Sequence, residues 1–251
     1  MSAAATSGTK AAAFFDLDGT LLPEPSLERR FFSELRRTGA IPFTNYLRWA
    51  TEAVRLLLRG PIAVQQRNKR YLTGVNGDLA FRHLGSISFF EEGIGRVAWH
   101  AQQGHEIVLV SGTLEPLARL AATALECELA TRGLEIRLYV FATLLAQMDG
   151  HWTGQLTGEA KFGSAKARTA EKFTAARRFD LRDCFAYGNS LLDWHILSAV
   201  GHAHVVNPGK EMATLANEKD WPIWHWFQEK QISAAESVRF VSGIQHVEGQ
   251  A

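Results

Sequence analysis

The sequence predicts an α/β protein: a doubly wound parallel sheet with a helical insert after its first strand. Three observations carry this. Apolar runs without polar alternation recur at residues 11–15, 107–110, 184–187 and 203–206, as strands covered on both faces require. Helical apolar spacings separate the later runs, and strands alternating with helices build parallel sheets. Three of the runs end in polar or small residues, and ligands of open α/β sheets bind at the carboxyl edge of the strands.

The first strand, residues 11–15, leads into Asp16-Leu17-Asp18-Gly19-Thr20. Carboxylates beside a core strand are costly unless a cation offsets them. An ordinary Asp-Gly turn is the simpler alternative for this string alone. Residues 23–92 then change character. Leu27, Phe31, Phe32 and Leu35, and further on Tyr46, Trp49, Ala53, Leu56 and Leu57, recur at helical spacings. Gly60-Pro61 and the glycines at 74 and 77 punctuate them. No strand is expected in this segment, and its many arginines read as solvated helix faces. Asn76-Gly77-Asp78 reads as a turn within it.

Alternation resumes after residue 93. A helix is expected over 94–103, a strand over 107–110 ending at Ser111-Gly112-Thr113, and a helix over 114–131. A strand follows at 137–142, then a hairpin over 147–158 on Asp149-Gly150. Residues 163–178 form a helix carrying Lys166. The strand at 184–187 ends at Gly188-Asn189-Ser190, with Asp193 one helical turn on. The strand at 203–206 ends at Asn207-Pro208-Gly209, and the last ~20 residues read as a tail with some helical character. The expected division is a core of 11–22 with 93–230, a helical cap of 23–92, and tails of 1–10 and 231–251.

Composition bounds the setting. An apolar fraction of 46% supports a packed core. A net charge of +1 gives no global field for nucleic acid or an anionic membrane. No apolar run reaches the ~18 residues of a span. The first ten residues read as a tail rather than a signal peptide. Two distant cysteines, Cys127 and Cys184, point to a reducing compartment and hence the cytoplasm. Oligomeric state is not legible.

The polar strand ends together suggest phosphoryl chemistry. A carboxylate can attack phosphorus, a divalent ion can screen the repulsion that opposes it, and a lysine can supply further positive charge. A hydroxyl and backbone N–H groups can hold phosphoryl oxygens, while a second acid moves protons. In this order the motifs resemble those of haloacid dehalogenase superfamily phosphatases, in the phosphoserine-phosphatase-like branch (subfamily IB). The matching elements are DLDGT at 16–20, the strand ending VLVSGT at Ser111, Lys166 after a flap, and GNSLLD at 188–193.

The resemblance implies a HAD-like core and a cap that closes over the site. It makes Asp16 the nucleophile and a Mg2+ ligand. Asp18 becomes the general acid/base, with its carbonyl on the metal. Ser111 and the Gly112 amide hold phosphoryl oxygens, and Lys166 bridges phosphate and Asp16. Asn189 and Asp193 complete the metal site. The implied activity is magnesium-dependent hydrolysis of a small phosphorylated metabolite through an aspartyl phosphate. A phosphotransferase of the same family is an alternative. So is an impaired binding protein, because the pattern has Asp where this chain has Asn189. Receiver-like modules use similar residues but are much shorter and lack the insert.

Other candidates read as structural. Gly93-x-Gly95 lacks a third glycine and reads as a helix start. His202-x-His204 flanks a strand. Trp221, Trp224 and Trp226 suit core packing. Lys161 belongs to the flap surface.

Overall fold

The computed structural model describes residues 10–76 and 84–233. Its centre is a six-stranded, wholly parallel sheet. The strands are β1 (Ala12–Phe15), β3 (Glu106–Leu114), β4 (Tyr139–Thr143), β7 (Phe185–Gly188), β8 (His202–Val206) and β9 (Ile223–Trp224). They lie in the order β4-β3-β1-β7-β8-β9.

The sequence of β1 shows why it is central. Every residue is buried, and successive side chains point to opposite faces. Ala13 and Phe15 enter one apolar cluster with Leu109, Leu117 and Leu125, while Ala12 and Phe14 enter the other with Val108, Ala170 and Ile196. A one-residue slip would exchange the two sets, so the register Phe14↔Val108 and Phe14↔Ala186 is strongly specified.

Helices cover both faces. On the first side lie α4 (Glu91–Gln102) and α5 (Glu115–Thr131). On the second lie α6 (Ser164–Arg177), α7 (Trp194–Ala199) and α8 (Lys210–Glu218). The hairpin of β5 (Leu145–Met148) and β6 (His151–Leu156) turns on Asp149-Gly150, both at positive φ.

The segment after β1 carries α1 (Leu27–Arg37), α2 (Phe43–Leu57) and α3 (Pro61–Arg67). Helix α1 is capped by Ser26, whose Oγ accepts from Arg29 N, and buries Leu27, Phe31 and Leu35 along one stripe. Helix α3 begins with proline in its first turn, where no intrahelical donor is needed.

One expectation for residues 23–92 fails. Ser86–Phe90 is a strand, β2, antiparallel to β10 (Glu229–Ser233). Phe90 N also donates to Leu21 O, and Glu91 N to Gln228 O. The partner strand lies some 140 residues along the chain, so no local pattern announces the pairing. The same pairing puts residues 231–233, expected to begin the tail, into strand β10 (Glu229–Ser233). The turn expected at Asn76-Gly77-Asp78 falls largely outside the described residues.

The tryptophans pack as expected: Trp226 is buried in the first cluster and Trp224 lies against it, with Trp221 on the second. His202 and His204 stack on the rings of Phe185 and Tyr187.

Behind β7 lies a buried polar group. His100 Nε2 is 2.8 Å from Tyr187 Oη and its Nδ1 is 2.8 Å from His105 Nδ1. Arg96 Nε donates to the same Tyr187 oxygen at 2.6 Å. A neutral His100 with its proton on Nδ1 satisfies both contacts. Burial, then the charge of Arg96, lowers the His100 pKa to about 2. The unfolded chain therefore takes up a proton near pH 6.5 that the native state refuses, and stability falls as pH drops below that value. Between pH 7 and pH 5 this group is expected to account for about 2 kcal/mol of lost stability. Urea denaturation of wild type and His100→Phe at both pH values checks it: the variant should lose less on acidification by that amount.

Candidate active site

Asp16 follows β1 directly, and its N–H donates to Tyr187 O at 3.0 Å, which keeps the chain on the sheet for one more residue. The loop then turns sharply. Gly19 N donates to Leu22 O, and both Thr20 N and Leu22 N donate to Leu17 O. Gly19 has φ +81°, and a side chain there would meet the Asn189 amide at 2.0 Å. Glycine is required on both counts.

The two carboxylates point to different partners. Asp16 Oδ1 accepts from Lys166 Nζ at 2.6 Å and Oδ2 from Thr20 Oγ1 at 3.3 Å. Asp18 Oδ1 accepts from Leu27 N at the start of α1, and Oδ2 from Thr113 Oγ1 at 2.8 Å. Asp18 thus ties β1, the beginning of the helical insert and the end of β3 together.

Strand β3 bulges between Val110 and Leu114. Ser111 is buried there, and its Oγ accepts from Thr113 N. Gly112 has the Phe162 ring against its Cα: a Cβ would stand 1.9 Å from that ring. The Gly112 carbonyl accepts from Thr143 Oγ1, which fixes the peptide.

Lys166 sits in the first turn of α6 and is almost fully buried. Its Nζ bridges Asp16 Oδ1 and Asp193 Oδ1, the latter at 2.5 Å. Burial works against its charge, but the two aspartates outweigh that and hold the ammonium above the usual lysine range. Burial raises the Asp16 carboxyl to about 7, against the pull of Lys166 and with the help of the Asp193 and Asp18 charges. Asp18 is also raised, chiefly by burial, while its bonds from Leu27 and Thr113 oppose the rise.

Asp193 is engaged on both oxygens. Besides Lys166, it accepts from Asn189 N, Ser190 N and Ser190 Oγ through Oδ2, a capping box that shapes the 188–193 loop. Gly188 lies against Asp193, where a Cβ would come within 2.5 Å.

Asp16, Asp18, Ser111, Gly112, Lys166 and Asn189 line one cavity of about 510 Å³, and Asp193 stands behind Lys166. Lys161, the other lysine near the flap, is not among the lining residues. The insert supplies the opposite wall with Phe32, Trp49, Val64 and a polar group. In that group Glu28 Oε1 accepts from buried Lys69 Nζ at 2.5 Å and from Tyr71 Oη at 2.8 Å. Sequence reasoning did not find this group, since 41 residues separate Glu28 from Lys69. It also missed Thr113 and Thr20 as carboxylate partners, although both stand in quoted motifs.

The candidate donors at the sheet edge are oxygens: the Asp16 and Asp18 carboxylates and the Asn189 amide lining the cavity, with Asp193 behind. That set suits a hard cation such as Mg2+. No three His, Cys, Asp or Glu side chains gather as ligands among the described residues. A cation here would lean partly on amide oxygen, with Asp193 Oδ1, which accepts only from Lys166 among the described residues, keeping a lone pair to offer.

The family model for haloacid dehalogenase-like hydrolases matches residues 13–198. The chain belongs to that hydrolase family. Relatives at the level of sequence agree. A probable phosphatase of Mycobacterium tuberculosis is 29% identical over 230 residues, covering 85% of this chain and 75% of its own. A phosphoserine phosphatase of the same organism is 27% identical, covering 85% and 70%. Among solved structures, a Bordetella pertussis protein of unknown function superposes with TM-score 0.67 at 20% identity, covering 87% of this chain and all of that one. A substrate-bound phosphoserine phosphatase superposes with TM-score 0.58 at 18% identity, covering 92% and 98%. At such identities the structures speak for the fold: this hydrolase has the α/β fold that the motif order implied.

Proposed function

We propose that this hydrolase is a magnesium-dependent phosphomonoesterase that cleaves a small organic phosphate through an aspartyl phosphate on Asp16. One observation carries the reading: Lys166 Nζ stands 2.6 Å from Asp16 Oδ1 in a cavity also lined by Ser111 and Gly112. A nucleophilic carboxylate, a fixed cation, a hydroxyl and a backbone amide are what phosphoryl transfer to an aspartate requires.

In this mechanism an Asp16 oxygen forms a bond to phosphorus as the ester P–O bond breaks. Asp18 gives its proton to the departing oxygen, a role that its burial-raised pKa suits. Asp18 then takes a proton from water, whose oxygen attacks phosphorus and frees phosphate and Asp16. Lys166, Ser111 Oγ and the Gly112 amide hold the phosphoryl oxygens throughout. Mg2+ on Asp16, the Asp18 carbonyl and Asn189, with Asp193 adjoining, would neutralise charge on the phosphoryl group when bound. Residues 23–92 serve as the cap: Phe32, Trp49 and the Glu28–Lys69–Tyr71 group face the leaving group and exclude water.

Asn189 favours a second reading, a site that binds phosphate without turnover. An amide ligand brings no charge, yet screening in a partly solvated site limits the loss. Hydrolysis of p-nitrophenyl phosphate in a magnesium titration and in EDTA separates the two. Asn189→Asp is expected to lower the magnesium concentration for half-maximal activity by roughly tenfold. No hydrolysis by the native chain at any magnesium concentration, with activity appearing in Asn189→Asp, would establish the binding protein instead.

A further inference from the structure

Helix α2 leaves an apolar face uncovered. Only Asn45 and Leu56 of the helix are buried. Phe43, Leu47, Val54 and Leu57 are 77%, 58%, 69% and 56% exposed, and Leu58, just beyond the helix, is 90% exposed. At 3.6 residues per turn these five side chains, with exposed Ala50, fall within about 60° of a single line. That line has one ring contact among the described residues, Phe43 with Tyr46 of the same helix, and all five side chains stay more than half exposed. Its length and uniformity set it apart from the singly scattered apolar residues that any surface carries.

Charge around the helix selects the occupant. Arg48, Arg55 and Arg59, all exposed, run along the helix about 110–150° round from the centre of the stripe. Residues 23–92 hold eleven Arg and Lys against seven Asp and Glu, a surplus of four positive charges, whereas the whole chain carries +1. The insert is therefore basic and the remainder acidic. A second copy of the chain pairing face to face on α2 would bring two basic lobes together, which like-charge repulsion opposes. Nucleic acid would satisfy the arginines but not the apolar stripe. A helix with an apolar stripe in a basic insert, too polar and short to cross a bilayer, fits the headgroup boundary of an anionic membrane.

We propose that the exposed face of α2 docks this protein on anionic lipid surfaces, lying in the plane of the interface. The apolar stripe enters the headgroup–acyl boundary, and the surplus positive charge of the insert attracts the anionic surface. This docking stands on the insert alone and does not depend on the phosphatase reading.

The test is sedimentation of the full chain with vesicles of phosphatidylcholine alone and of phosphatidylcholine containing phosphatidylglycerol. Binding is expected to the mixed vesicles and not to phosphatidylcholine alone, and to weaken when salt rises from ~0.1 to ~0.5 M. Leu47→Glu and Leu58→Glu should each cut the bound fraction about tenfold, while circular dichroism and hydrolysis of soluble p-nitrophenyl phosphate stay as in wild type. Absence of binding to the mixed vesicles overturns the proposal. Binding that Arg48→Gln/Arg55→Gln removes but Leu47→Glu does not would show plain charge adsorption and overturn it too. So would a wild-type dimer in light scattering that Leu47→Glu converts to monomer.

Discussion

Asp16→Asn is expected to fold normally and to lose phosphomonoester turnover by about 10⁴-fold or more. The amide is nearly isosteric and still accepts from Lys166, but it cannot form an acyl phosphate. Stability should change little, because removing a buried charge offsets the loss of half of the Lys166 ion pairing. Initial rates with p-nitrophenyl phosphate, together with urea denaturation, check both halves. A variant that folds and keeps near-native rates would place the nucleophile elsewhere.

Lys166→Met is expected to fail in a different way. The lysine is the common partner of Asp16 and Asp193, and all three are nearly out of solvent. Deleting the cation leaves two buried carboxylates facing each other, so stability should fall by about 3 kcal/mol or more, in addition to the loss of activity. The double variant Lys166→Met/Asp193→Asn removes one of the stranded charges. It should recover a good part of the stability and none of the activity. Recovery of both would mean that Lys166 is structural only. A single variant as stable as wild type would mean that the ion pairs contribute nothing.

Much of this was legible in the chain itself. Runs such as Ala-Ala-Phe-Phe at β1 are apolar on both faces, and their shortness together with the polar residues that end them marks doubly covered strands. The polar residues after each run mark the edge where those strands end, so Asp16, Ser111 and Asn189 could be brought together before any coordinates. The β2–β10 pairing was not legible, because its information lies in a partner distant in sequence. Helix α2 misled in another way. The spacing of Tyr46, Trp49, Ala53, Leu56 and Leu57 suggested one inward face, but Leu57 lies on a second apolar line with Phe43, Leu47 and Val54. Periodicity cannot tell which of two apolar faces meets the core; packing buried Leu56, half-buried Tyr46 and Ala53, and left Trp49 and the second line in solvent. The Glu28–Lys69–Tyr71 group escaped notice because charged residues on amphipathic helices ordinarily read as solvated.

The central claim is that Asp16 carries the phosphoryl group during turnover. Wild-type protein mixed with a phosphomonoester and magnesium, quenched in acid during turnover and digested, can be read by mass spectrometry. The peptide containing Asp16 is expected to carry one added phosphoryl group, acid-stable and removed by hydroxylamine, and the same peptide from Asp16→Asn to carry none. Steady release of phosphate by wild type with no adduct on that peptide, matched by release from Asp16→Asn, would contradict the account.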